Sequence, residues 1–69
     1  MIILVNEKEV DVDAHTTVSA LLDSLGFPDR GVAVAMDDAV LPRSRWATEL
    51  SELPGAPVRL EVVTAVQGG

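Results

Sequence analysis

No cysteine occurs among the 69 residues, which excludes a disulfide framework and any thiolate metal site. Aromatic side chains are almost missing too. Phe27 and Trp46 are the two present, so a core has to be built from Val, Leu, Ile and Ala. His15 is the one histidine. It sits in a polar turn without a second histidine or a cysteine, which leaves neither a catalytic triad nor a ligand set for a metal. Basic residues are scarce, 5 against 11 acidic ones, for a formal net charge of -6. Nucleic acid is therefore not an expected partner, because phosphate contacts need a basic patch. The acidic balance suits a partner with a basic docking face or serves solubility alone, and both readings stand. No apolar run approaches the ~20 residues of a membrane span. MIILVNEKEV lacks the basic lead-in and the length of a signal peptide. A soluble, cytoplasmic protein is expected. There is no Gly-rich phosphate loop, and Asp11, Asp13, Asp37 and Asp38 do not follow the spacing of a calcium loop, so they read as turn and edge residues.

What remains is one small domain with a limited core. The chain is organised around its last stretch, VRLEVVTAVQGG. Val58, Leu60 and Val62 alternate with Arg59 and Glu61, the period of a half-buried strand. Ala65 to Gly69 follow. Two glycines reach roughly 7 Å beyond the last anchored residue and accept almost any backbone angles. Such a tail is either a frayed terminus or a thread that brings a carboxylate into another protein's active site. The expected organisation is a folded unit over residues 1–64 and a flexible tail over 65–69.

Taken in order, Ile2 to Val5 is an apolar run that predicts a central strand. Asn6-Glu7-Lys8-Glu9 reads as a polar turn. Val10 and Val12, alternating with Asp11 and Asp13, return as a solvated edge strand. Thr16 or Thr17 can cap a helix, whose apolar face is Val18, Leu21, Leu22 and Leu25 at i, i+3, i+4, i+7. Gly26 suits its left-handed end and Pro28 stops it, giving a helix of about ten residues. VAVAM from Val32 predicts a third strand, Asp37-Asp38 a turn, and Val40-Leu41 a short fourth strand ended by Pro42. Arg43 to Ala47 predicts a helical turn that sets Trp46 against the core edge or offers it, with Pro42-Arg43, to a partner. Leu50 and Leu53 complete that patch, and Pro54-Gly55-Ala56-Pro57 is a turn before the last strand.

One helix cannot cover both faces of the resulting mixed sheet of four to five strands. The expected fold is therefore α+β, a β-grasp (ubiquitin-like) roll with one main helix on one face, the first and last strands lying as parallel central neighbours. If Ile3, Val5, Val32, Val34, Leu60 and Val62 meet the helix, then Ile2, Leu4, Ala33, Ala35 and Val63 face outward. A flat, partly apolar open face is either a docking surface or ordinary surface apolarity. A register error of one residue would exchange the two faces.

With classical catalytic groups nearly missing, the reactive-capable feature is the terminus. A carboxylate is a poor electrophile. Joined to AMP it becomes an acyl adenylate that a sulfur nucleophile can attack, and a glycine presents no β-carbon to crowd that carbonyl. The chain would then be a carrier and co-substrate, not a catalyst.

The segments VNEKEV, TVSALLDSLG, VAVAMDDAVLPRSRW and VRLEVVTAVQGG resemble the ThiS family, the sulfur carriers of thiamin biosynthesis, over nearly the whole chain. The third segment is the most discriminating, with its valine-alanine strand, turn, second strand, Pro42-Arg43 and Trp46. The related molybdopterin carriers (MoaD) also end in Gly-Gly but typically have prolines just before it, where Val66-Gln67 stand here. Relatives often carry Asn where Asp37 stands, and Gly-Asp where Pro54 to Pro57 stand. The resemblance implies that a ThiF-like enzyme adenylates Gly69 with ATP, so the carrier needs no cofactor of its own. It also implies that a donor such as a cysteine desulfurase supplies the sulfur, and that thiazole synthase (ThiG) takes it from a Gly69 thiocarboxylate. Gly69 would bear the sulfur, with Gly68 and Gln67 as the slim tail behind it. Ile2, Leu4, Val63, Ala33 and Ala35 are the candidates for partner docking. A carrier for molybdopterin, cysteine or tRNA thiolation, and a non-covalent ubiquitin-like interaction module, remain alternatives.

Overall fold

Five strands and one helix follow one another along the chain: β1 (Ile2–Val5), β2 (Lys8–Asp11), α1 (Val18–Ser24), β3 (Val32–Met36), β4 (Ala39–Leu41) and β5 (Arg59–Thr64). Two 3₁₀ turns, Arg43–Arg45 and Leu50–Glu52, lie between β4 and β5. The computed structural model describes residues 1–28, 30–37 and 39–64. Of the expected features, Asp38 in the turn and the tail with Gln67, Gly68 and Gly69 lie outside the described residues. The sheet runs β2-β1-β5-β3-β4. β1 and β5 are parallel, and the other three pairings are antiparallel. This mixed sheet with one helix is the β-grasp, ubiquitin-like α+β fold that the element order predicts.

The first hairpin is tighter than the polar run Asn6 to Glu9 suggests. Asn6 and Glu7 both have positive φ, 51° and 68°, the two-residue turn whose twist matches its flanking strands. Lys8 and Glu9 already pair with Val5 and Leu4, so β2 starts two residues earlier than the apolar alternation alone implies.

Between the two candidate caps, Thr17 is the one used. Its side-chain oxygen accepts from the Ala20 amide at 3.1 Å, which satisfies one of the free donors of the first turn. Two more are taken by the return segment: Val18 N–H donates to the Thr48 carbonyl and Ser19 N–H to that of Trp46. The helix spans 7 residues, shorter than the expected ten. It closes as Gly26 N–H donates to the Asp23 carbonyl and Phe27 N–H to that of Leu22, with Gly26 at φ +84°, the double bond of a Schellman end. Leu25 falls at that end and is exposed, so the apolar face is Val18, Leu21 and Leu22 without it.

The core joins these three residues to Ile3, Val5, Val34, Val58, Leu60 and Val62 from the sheet and to Trp46, Leu50 and Leu53 from the return segment. Val32 is half-buried and packs against it. Leu50 is not an edge residue but fully buried. The segment around it is laid along the helix entry, Leu50 N–H donating to the Thr16 carbonyl at 2.8 Å. Burial of such a side chain contributes about 2 kcal/mol, a large share of the stability available to so small a domain.

Candidate functional face and tail exit

The helix, the two 3₁₀ turns and the core all lie on one side of the sheet, and register decides what the other side presents. Leu4 pairs with Arg59, Ala33 with Val63 and Ala35 with Glu61, and Ala35 also with Val40. Opposed residues share a face. The open side therefore carries Ile2 and Leu4 from β1, Arg59, Glu61 and Val63 from β5, Ala33 and Ala35 from β3, and Val40 from β4. Ile2 is 48% exposed and Val63 59%. Leu4 and Ala35 are half-buried within the row and Ala33 is exposed. The structure thus brings all five sequence-derived docking candidates onto one surface, with Glu9 and Asp11 of β2 along its edge. A shallow depression of about 190 Å³ between Leu4, Arg59 and Glu61 opens on it.

Val40 is the face's most exposed large apolar residue, at 71%, and it was not among those candidates. The signal was the alternation of Val40 with the half-buried Leu41. It was faint because β4 has 3 residues.

Among the described residues β5 ends at Thr64, and both sides of the strand are held near that end. On one side Thr64 pairs with Val32 of β3. On the other, β1 has already turned away. Its last main-chain contact with β5 is Asn6 N–H donating to the Leu60 carbonyl at 2.9 Å. Beyond it the Asn6 side chain takes over. Val62 N–H donates to Asn6 Oδ1 at 2.8 Å, and Asn6 Nδ2 donates to the Val62 carbonyl at 3.2 Å.

The helix side offers other candidates. An open groove of about 550 Å³ runs between α1 and the first 3₁₀ turn, lined by Thr17, Ser19, Asp23, Phe27 and Trp46 among others. Trp46 is buried, its indole N–H donating to the Leu41 carbonyl at 3.2 Å. The Arg43 guanidinium lies 5.2 Å from its ring centroid, within cation–π range. Of the two readings of Trp46, the core-edge one describes its place. His15 is a surface residue whose Nδ1 lies 2.9 Å from Glu49 Oε1. That hydrogen bond and the charges of Glu49 and Asp13 raise its pKa above the ordinary 6.5. Asp13 also accepts from the His15 amide at 2.8 Å. Among the described residues no group of three or more His, Cys, Asp or Glu is arranged to hold a metal ion. No helix among them is long and apolar enough to cross a membrane.

A search of curated proteins finds no match. The family model described as "ThiS family" matches residues 2–69, which takes in the whole sheet, the helix and the stretch through Gly68 and Gly69. The chain belongs to the ThiS family, the small sulfur carrier proteins of the thiamin-biosynthesis type, which work with adenylating and sulfur-transfer partners and are not enzymes.

Proposed function

We propose that the chain carries sulfur on the carboxylate of Gly69 and donates it to the thiazole ring of thiamin. The observation that carries this reading is the family match, which runs through Gly68 and Gly69. A carboxylate oxygen of Gly69 attacks the α-phosphorus of ATP on a ThiF-like enzyme and releases pyrophosphate. The acyl adenylate then loses AMP to the terminal sulfur of a persulfide supplied by a donor such as a cysteine desulfurase. A thiol reductant cleaves the resulting acyl disulfide at its S–S bond and leaves as a mixed disulfide with the former persulfide cysteine. Gly69 is left as a thiocarboxylate for thiazole synthase. ATP belongs to the partner enzyme, and the carrier contributes the acyl group and no cofactor.

The open face supports the reading by offering a docking surface separate from the reacting atom. Ile2, Leu4, Ala33, Ala35 and Val63 meet the adenylating enzyme, while Gln67, Gly68 and Gly69 reach its active site. A slim terminus suits a narrow channel because glycine adds neither side-chain bulk nor much restriction of backbone angle. Val66-Gln67, in place of the prolines of molybdopterin carriers, favours the thiamin pathway among the sulfur-transfer routes. The same reading puts the carrier in the cytoplasm, where its partner finds ATP. One added residue after Gly69 tests the chemistry, since it moves the carboxylate off the glycine that is charged. Charging should be abolished, and normal charging of that variant would contradict the proposal. Growth of a deletion strain without thiamin would keep the chemistry but assign it to another pathway.

A further inference from the structure

β2 is an edge of the sheet, with β1 on its one paired side. The phase of the hydrogen bonds tells which of its main-chain groups stay open. Leu4 and Asn6 donate toward β5, so Ile3 and Val5 turn their groups toward β2. Met1 and Val12 bond each other in both directions, at 2.7 and 2.8 Å, which puts Val10 and Lys8 in the same bonded phase. Glu9 and Asp11 therefore aim N–H and C=O away from β1. Among the described residues these groups meet no partner. The far edge, β4, has 3 residues and runs into Pro42, which has no N–H to offer.

The side chains of β2 alternate in charge as well as in direction. Glu9 and Asp11 share the open face with Leu4 and Ile2. Asp11 Oδ1 lies 3.6 Å from the Met1 ammonium, yet its side chain stays 81% exposed. Lys8 and Val10 lie on the helix side, opposite Val5 and Ile3. A depression of about 250 Å³ opens there, lined by Lys8, Val10, Leu25 and Phe27 among others. Charge by itself serves to blunt an edge. It does not account for an apolar depression beside that edge, or for Leu25 left 41% exposed on its wall.

We propose that β2 accepts an added antiparallel strand from a partner protein, one that is basic on one face and carries an aliphatic residue beside an acid on the other. Register dictates the pattern. The residues opposite Glu9 and Asp11 are Lys or Arg. The residue between them is aliphatic and shares the depression with Val10, and the residue opposite Lys8 is acidic. Main-chain bonds to Glu9 and Asp11 supply affinity, and the alternating side chains supply specificity. A second copy of this chain does not fit. Antiparallel self-pairing about Val10 sets Glu9 against Asp11, and like charges directly opposite each other destabilise a sheet. The site involves none of residues 65–69 and stands independently of sulfur carriage at Gly69.

The test titrates a blocked peptide, Thr-Thr-Lys-Ile-Lys-Glu-Thr-Thr, into the isotope-labelled chain and follows its amide resonances. The first lysine meets Asp11 and the second meets Glu9. Shifts should centre on Glu9 and Asp11, whose amides should also exchange more slowly with peptide bound. N-methylation of the second lysine removes the N–H that bonds the Glu9 carbonyl and should weaken binding about fivefold or more. N-methylation of the isoleucine, whose N–H points away from β2, should leave affinity unchanged. A glutamate in place of the second lysine should weaken binding to wild type about fivefold, and Glu9→Lys should reverse that preference. Equal effects of the two N-methylations, or a preference that Glu9→Lys leaves unreversed, would overturn the inference, as would a lack of binding at millimolar peptide. Slower exchange at Glu9 and Asp11 on raising the protein concentration alone would overturn it in favour of a second copy.

Discussion

Ala33 and Val63 face each other across β3 and β5, and both point away from the helix. The pair marks which face of the sheet each side chain takes, because a shift of one residue would send Val62 outward and Val63 into the core. It also separates two jobs within one strand. Val62 packs the core, while Val63 is free to meet a partner.

A charge on that outer row should therefore damage binding more than folding. Val63→Glu is expected to weaken the complex with the adenylating enzyme about tenfold or more, ~1.4 kcal/mol. Its stability should change by about 0.5 kcal/mol or less, as for an exposed position. Calorimetric titration and urea unfolding measure the two. Equal losses in both would mean that Val63 acts through the fold. Leu4→Glu should show the same ordering with a larger stability loss, because Leu4 is half-buried.

Gly55 is required where it stands. Its φ is +119°, a region that L side chains rarely enter. A β-carbon there would lie 2.9 Å from the Pro57 carbonyl oxygen and 3.2 Å from the Val58 Cα. Both neighbours are backbone and cannot swing aside. Gly55→Ala should cost about 1–3 kcal/mol of stability, which for a domain this small lowers Tm by roughly 4–8 °C per kcal/mol. Thermal unfolding followed by circular dichroism gives the answer, and an unchanged Tm would contradict the strained turn.

His15 and Glu49 make stability depend on pH in a stated direction. Hydrogen bonding and charge from Glu49 raise the folded-state pKa of His15 above 6.5. The protonated form is thus favoured by folding. The contribution is fully present below about pH 6.5 and is lost as pH rises through the folded value. Because His15 is fully exposed, the effect is small and screened by salt. Replacing Glu49 by Gln should narrow the Tm difference between pH 5.5 and 8.5 at low salt. A gap between wild type and variant that is the same at both pH values would rule out the linkage.

Much of this was legible in the chain. Val58, Leu60 and Val62 state their period openly, and a strand paired on both sides has no reason to depart from it. Val18, Leu21 and Leu22 did the same for the helix, and Gly26 marked its end. Leu25 was misleading because helical spacing carries no information about where a seven-residue helix closes. Leu50 looked peripheral because its burial comes from membership of a core assembled from distant parts of the chain rather than from a local pattern. The bonding of Asn6 to Val62 could not be read at all. Asn6 reads locally as a turn residue, and its side-chain partner lies 56 positions away.

The central claim is that Gly69 carries sulfur, and fragment mass spectrometry tests it most directly. The protein is incubated with ATP, a sulfur source and its host's adenylating enzyme, then fragmented. The account predicts exchange of one oxygen for sulfur, localised to Gly69. Oxidation of Met1 or Met36 gives nearly the same shift in the intact mass, so the fragments must locate it. An active adenylating enzyme that leaves Gly69 unmodified would contradict the carrier role and favour a non-covalent interaction module built on the same open face.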